Sequence, residues 1–193
     1  MSGDYRELLL GCGRAREKRV DPGGTIRPWV NLVTLDRNPD VKPDVVLDLD
    51  IGQLVTTSTA EGAFRSDTFD EVHAYEVLEH LGSQGHVLEF FWIFYQIWLV
   101  LKPGGFLCGT TPSRFSGWLW GDPGHTRAVL PETINFLSQP FYAQCDGEHP
   151  TECSDYRSIW RGDFDILRSH DDHTHHKFIL RTVKPIRKPP YAK

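Results

Sequence analysis

Short apolar runs alternate with longer polar or amphipathic stretches over the first two thirds of the chain, the signature of crossover units around a parallel sheet. Five runs read as strands: ELLL at 7–10, WVNLVTLD from Trp29 to Asp36, DVVLDL from Asp44 to Leu49, DEVHAY from Asp70 to Tyr75 and GGFLCGTT from Gly104 to Thr111. Between the fourth and fifth, GHVLEFFWIFYQIWLVL places Val87, Phe91, Phe94, Ile97 and Leu101 three, four or a multiple of such steps apart, which predicts a helix stopped by Lys102-Pro103-Gly104-Gly105. Phe90, Trp92 and Tyr95 carry its apolar character round the cylinder, so the helix is expected beneath the sheet; a homo-oligomer contact through residues 86–101 is the alternative.

Asn38 to Lys42 reads as a Pro-containing turn, and Thr56 to Thr68 as a polar loop. PETINFL, from Pro131 to Leu137, begins a short helix with proline at its first position. FDILRS and HKFILRTV read as two strands able to pair, and KPIRKPPYAK as a basic, Pro-rich tail. The expected division is one domain over residues 1–183 and a tail over 184–193.

Composition narrows the function classes. The 193 residues carry a formal net charge of -5 with 39% hydrophobic and 24% charged residues, which does not favour a nucleic-acid partner. No apolar run approaches a membrane span and the first residues lack a signal-peptide pattern, so a cytoplasmic protein with reduced cysteines is expected.

The chemistry concentrates after the first strand. Gly11-Cys12-Gly13 follows an apolar run as a nucleotide-binding turn does, and the second strand ends in Asp36, at the distance where a carboxylate accepts hydrogen bonds from ribose hydroxyls. A tight turn capped by Asp36 is the plainer alternative. Arg16 stands where a dinucleotide fingerprint has its third glycine, which disfavours a nicotinamide oxidoreductase. Adenosine without a pyrophosphate needs no such glycine.

LLLGCG, VTLDRNP, LDLDIGQL, FDEVHAYEVLEHL, LKPGGFLCGTTP and HTRAVLPETINFL follow one another in the order seen in class I S-adenosylmethionine-dependent methyltransferases. Between Leu8 and about Tyr142 the chain resembles that family, and it is similar to small stand-alone members encoded by bacteria and phages. The resemblance implies a Rossmann-like three-layer αβα sandwich whose sheet has about seven strands, mostly parallel, with an antiparallel last strand. It implies S-adenosylmethionine as cofactor: the Gly11, Cys12 and Gly13 backbone against methionine and ribose, Asp36 on the ribose, and Arg37 beside the adenine. Asp50 and Ile51 meet the adenine edge, with Asp48 the weaker candidate, and Ala74, Tyr75 and His80 border the methionine end. Two features depart from the family. Leu9 occupies the position usually acidic, with Glu7 two residues earlier, and the helix after Gly13 is limited to a turn or two by Pro22-Gly23-Gly24.

The acceptor side is expected in TTPSRFSGWLWGDPGHTR, with Trp118 and Trp120 as walls and Asp122 and His125 orienting or deprotonating an unidentified methyl acceptor. A silent methyltransferase-like scaffold is the alternative from another class. HDDHTHH, from His170 to His176, reads as a polar turn before a metal site, and Cys145, His149 and Cys153 lack a fourth ligand, so no metal is assigned.

Overall fold

In a computed structural model, described over residues 5–56, 61–145 and 153–187, the chain builds a seven-stranded sheet in the order β3-β2-β1-β4-β5-β7-β6. The strands are β1 (Glu7–Leu10), β2 (Leu32–Asp36), β3 (Val45–Val46), β4 (Phe69–Tyr75), β5 (Leu101–Pro112), β6 (Phe164–Asp171) and β7 (His175–Thr182). β3, β2, β1, β4 and β5 run parallel, and β7 is antiparallel to both of its neighbours. This is the Rossmann-like α/β sheet with its antiparallel last hairpin.

Strand alternation divides the faces. Leu8 and Leu10 of β1, Val72 and Ala74 of β4 and Leu107 of β5 join the larger core. Helix α1 (Val87–Val100) covers them with Phe90, Phe94 and Ile97, and α3 (Pro131–Asn135) adds Ile134 to the same core. α1 is therefore mainly buried, as its apolar circumference required; Leu88 and Trp92 stay exposed on its outer side. A single-turn helix, α2 (Trp118–Gly121), lies between β5 and α3.

The opposite face carries Glu7, Leu9, Glu71, His73, Tyr75 and Cys108, and its cover is residues 14–31, which form no helix at all. The expected turn or two is absent because Lys18, Asp21 and Arg27 are committed to the sheet. Lys18 Nζ lies 2.6 Å from Glu7, 3.0 Å from Glu71 and 3.4 Å from Asp21, while Arg27 bridges Asp21 and Glu71 at 2.9 Å each. This charged layer stands where a helix was expected.

Three boundaries differ from the sequence pattern. β2 starts at Leu32, the partner of Glu7, because Asn31 takes a left-handed φ of 45° and Trp29 turns its indole onto the Arg16 carbonyl at 2.6 Å. β3 shrinks to the two residues that pair with Leu35 and Asp36, since the chain then folds into the Asp48–Gly52 turn. β5 begins at Leu101, directly after α1, and Lys102 to Gly105 bulge out of the ladder between the pairs Phe69–Leu101 and Glu71–Phe106.

The first residues of the expected tail are held on the domain: Lys184 reaches the Leu99 carbonyl at 3.2 Å and Arg187 grips Asp163 at 2.7 Å. Cys145's side chain, His149 and residues 188–193 lie outside the described residues, as do 57–60 of the polar loop. Among the described residues, no helix is long and apolar enough to cross a membrane.

Gly109 of β5 sits opposite Phe178 of β7, whose ring covers it so closely that an added Cβ would lie 2.0 Å from Cζ. Both are buried, so the ring has little room to retreat. Gly109→Ala should cost about 1–3 kcal/mol through overpacking, measured by urea denaturation. An unchanged midpoint would show that the ring yields freely.

Candidate functional site

Parallel strands bring their carboxyl ends to one edge, where open α/β sheets hold their ligands. At that edge Gly11 and Gly13 take left-handed φ values of 56° and 52°. An L side chain at either position would be strained. The turn they allow sends the Cys12 N–H to the Leu35 carbonyl at 3.0 Å and the Gly13 N–H to Asp36 Oδ2 at 2.9 Å. Asp36 Oδ1 accepts from the Asn38 N–H at 2.8 Å, so this one carboxylate ties together the ends of β1 and β2. Both of its oxygens keep a lone pair for a further donor.

A groove of about 210 Å³ opens beside that turn. Gly11, Asp36 and Arg37 line one side, Asp48 and Leu49 the second, and Glu76, Val77 and His80 the third. Sequence reasoning singled out Gly11, Asp36, Arg37 and His80 among these and ranked Asp48 below Asp50. Asp50 instead accepts the Gly82 N–H at 2.8 Å and lines an adjoining hollow of about 260 Å³ with His80. Ile51 is 87% exposed and lines neither.

The remaining cofactor candidates supply backbone or packing at this edge. The Cys12 side chain is buried on the charged face with Leu9, Val20 and Tyr75, and Ala74 is buried in the α1 core. Tyr75 directs its hydroxyl to His73 Nδ1 at 2.6 Å and receives the Val20 N–H at 3.2 Å, so its ring leaves the groove. Burial pushes its phenol well above the ordinary range. Arg16 also has structural work: its guanidinium donates to the carbonyls of Val41 and Lys42, each at 2.8 Å.

Beyond the groove stands a second group of polar side chains, reached through His80. A 3-10 turn, Leu78–His80, follows β4, and the Arg127 and Thr126 N–H groups both donate to the Glu79 carbonyl, pinning the 122–127 loop against it. His80 and His125 meet edge to face with ring centroids 4.7 Å apart. His125 Nε2 lies 3.9 Å from both Glu79 Oε1 and Asp122 Oδ2. Glu79 is wholly buried; burial first, then the neighbouring carboxylates of Glu76 and Asp122, push its carboxyl up to about 8. Trp118 and Trp120, expected as pocket walls, are exposed on α2.

Glu76 and Glu79 are the site residues that the sequence reading did not single out. Glu76 takes a left-handed φ of 52°, anchored by its N–H on the Thr110 carbonyl at 2.9 Å, and among the described residues its buried Oε1 has no hydrogen-bond partner, His175 Nε2 standing 3.8 Å away. The Glu-x-x-Glu-His spacing at 76–80 was the available signal. The 170–176 run is tied to its surroundings: Asp172 accepts from the Thr174 and His175 N–H groups, His176 bonds the Val129 carbonyl at 2.8 Å, Arg114 pairs with Asp171 at 2.8 Å, and His175 Nε2 lies 3.8 Å from Glu76 Oε1.

No protein-family model and no curated protein matches this chain. Solved structures do. A methyltransferase dependent on S-adenosylmethionine from Archaeoglobus fulgidus aligns with a TM-score of 0.50 at 17% identity, over 93% of this chain and 87% of that one. The CurJ carbon methyltransferase aligns with a TM-score of 0.51 at 14% identity over 95% of this chain, which spans 50% of that protein. A structure of a Trm112 methyltransferase activator in complex with a putative methyltransferase, from Haloferax volcanii, gives 0.50 at 13% identity, over 93% and 83% of the two chains. At such identities the likeness is one of fold, and the fold is that of class I methyltransferases.

Proposed function

We propose that this chain is an S-adenosylmethionine-dependent methyltransferase. The observation that carries the reading is the Asp36 carboxylate, joined to the Gly13 N–H and facing a groove at the carboxyl ends of β1, β2 and β4. The donors and acceptors present fit the cofactor's parts. Asp36 holds the ribose hydroxyls, Arg37 flanks the adenine, and Asp48 with the Leu49 backbone borders its edge. Asp50 then acts from beside the groove through the Gly82 loop, while Ile51, 87% exposed, contributes no contact to it. The Gly11, Cys12 and Gly13 backbone, and the Ala74–Tyr75 strand end, shape the floor.

Leu9 leaves the family's usual acidic position empty, and Glu7 is unavailable, since it already binds Lys18 and the Val30 N–H at 2.6 Å each. The Glu76 carboxylate takes over the methionyl ammonium group: it lines the groove beside Gly11, and among the described residues its buried Oε1 has no hydrogen-bond donor, with His175 Nε2 3.8 Å away. When bound, the cofactor supplies an electrophilic methyl group on a sulfonium. The chain's own contribution is to place a nucleophile in line with it, which can supply much of the rate enhancement without a dedicated base. Asp122 and His125 orient the acceptor from the far side of His80.

Calorimetry with S-adenosylhomocysteine tests this reading. Wild type should bind and gain thermal stability by mass action. Asp36→Ala should bind roughly 10- to 100-fold more weakly, the loss of one or two charge-assisted hydrogen bonds. Absence of binding in wild type at millimolar ligand would sink the proposal. It would favour the silent-scaffold alternative, which draws on Leu9 and the helix-free 14–31 segment; preferential binding of NAD would revive the oxidoreductase.

A further inference from the structure

Glu79, His80 and His125 each bring one ligating atom to a common point, all within 4.8 Å of one another. The cluster is made of acceptors. His80 Nδ1 is 2.9 Å from the Gly124 carbonyl and His125 Nδ1 is 3.3 Å from the Leu119 carbonyl. A carbonyl only accepts, so each ring keeps a proton on Nδ1 and its neutral form has a lone pair on Nε2. His125 turns that nitrogen toward Glu79 Oε1 and Asp122 Oδ2, 3.9 Å from each. Glu79 is 0% exposed, and among the described residues neither of its carboxyl oxygens has a hydrogen-bond partner. A buried carboxyl facing another acceptor calls for a proton or a metal cation between them.

The molecule offers its own contrast. Glu7, Glu71 and His73 form a second grouping of the same kind, but there Lys18 Nζ already stands 2.6 Å from Glu7 and 3.0 Å from Glu71. Among the described residues, no lysine or arginine occupies the corresponding place beside Glu79, whose ion pair is with His125. We propose that a single divalent transition-metal ion of the zinc or manganese type binds there, held by Glu79, His80 and His125, with Asp122 as the fourth group in reach. Mixed imidazole and carboxylate ligands suit such ions better than magnesium or calcium. Ligand atoms about 2.1 Å from a shared ion lie roughly 3–4 Å apart, so a 3.9 Å separation closes with small side-chain rotations. Backbone carbonyls on both Nδ1–H groups are the outer contacts that hold metal-binding histidines in orientation.

Because His80 also lines the groove, the ion would stand at its edge with a coordination position open. Resting on the methyltransferase reading, that position takes an oxygen of the acceptor and holds it toward the methyl group. Metal binding itself is independent of that reading.

The test titrates the metal-stripped full chain with Zn²⁺, Mn²⁺ and Mg²⁺ in turn by calorimetry, with no cofactor added. One Zn²⁺ or Mn²⁺ per chain should bind and raise Tm, with Mg²⁺ weaker. Glu79→Gln and His125→Ala should each weaken binding by at least about tenfold, and His173→Ala, in the β6–β7 turn, should leave it unchanged. In wild type, substoichiometric Mn²⁺ should broaden the amide resonances of Gly124 and Leu119 first, a readout that needs no variant to fold. The proposal is overturned if neither ion binds at millimolar concentration, if binding survives both substitutions, or if His173→Ala abolishes it. It is overturned equally if the broadening centres on residues 170–176. Failure of the methyltransferase reading would appear separately, as absent binding of S-adenosylhomocysteine.

Discussion

Lys18→Met should lower the unfolding free energy by about 3–5 kcal/mol, a large share of the 5–15 kcal/mol that typically holds a domain together. Lys18 is the cation among Glu7, Asp21 and Glu71, whose side chains are 0–1% exposed. Removing it leaves Glu7 with a charge that only the Val30 N–H offsets, and leaves Asp21 and Glu71 to the half-exposed Arg27. The loss comes from stranding buried charge, not from forfeiting a pair worth that much. Lys18→Met combined with Glu7→Leu should therefore be more stable than Lys18→Met alone, though short of wild type because Val30 loses its acceptor. A loss below about 1 kcal/mol in urea denaturation would mean that water reaches the cluster.

The same layer fixes a pH dependence. Burial pushes Glu71 up, but hydrogen bonds from His73, Tyr5 and Lys18 prevail and hold its carboxyl well below the ordinary 4.5. Asp21, opposed by burial and favoured by Arg27, lies below its ordinary 3.8. Both contribute stability that is present above those values and lost as pH falls through the folded-state ones. His73 adds a loss beginning near 6.5, because burial keeps its ring neutral in the fold while the unfolded chain takes up a proton. Glu7, raised by burial, works in the opposite sense and offsets part of the fall. Stability should decline as pH falls from about 6.5 and more steeply below about 4.5, and the decline should be shallower in Glu71→Gln.

That layer was also the least legible part of the sequence. The strands announce themselves because each is a short apolar run bounded by turn residues, and the spacing from Gly11 to Asp36 identifies two groove residues. Segment 14–31 carries no period. Its order comes from side chains that reach residues 7 and 71, contacts across the chain that no local pattern records. Alternation along β4 could have placed Tyr75 with Glu71 and His73, away from Ala74, and so foretold that its ring leaves the groove. Glu79 could not be read in the same way. Its surroundings depend on a loop more than forty residues downstream, whose placement rests on two N–H groups donating to the Glu79 carbonyl.

Gly11→Ala and Gly13→Ala separate the two demands made on the Gly11-Cys12-Gly13 turn, conformation and space. Both glycines sit at φ above 50°, where an alanine costs roughly 1–2 kcal/mol by sterics of its own backbone. Around Gly13 nothing lies within 4 Å of an added Cβ, so Gly13→Ala should cost little more than that. At Gly11 the new carbon would stand 2.5 Å from Val77 Cγ2 and 2.8 Å from its Cβ. A β-branched side chain has few rotamers to retreat into, and Val77 is itself part of the groove wall. Gly11→Ala should therefore cost about 2–4 kcal/mol, the backbone strain plus an overpacking penalty, and push Val77 into the groove. Binding of S-adenosylhomocysteine should fall further in Gly11→Ala than in Gly13→Ala when both are measured below their unfolding temperatures. Adding Val77→Ala to Gly11→Ala should recover part of the affinity by making room for the new carbon. Equal losses in the two single variants, with no recovery in the double, would show that the turn's conformation alone governs the site and that the Gly11–Val77 contact plays no part in it.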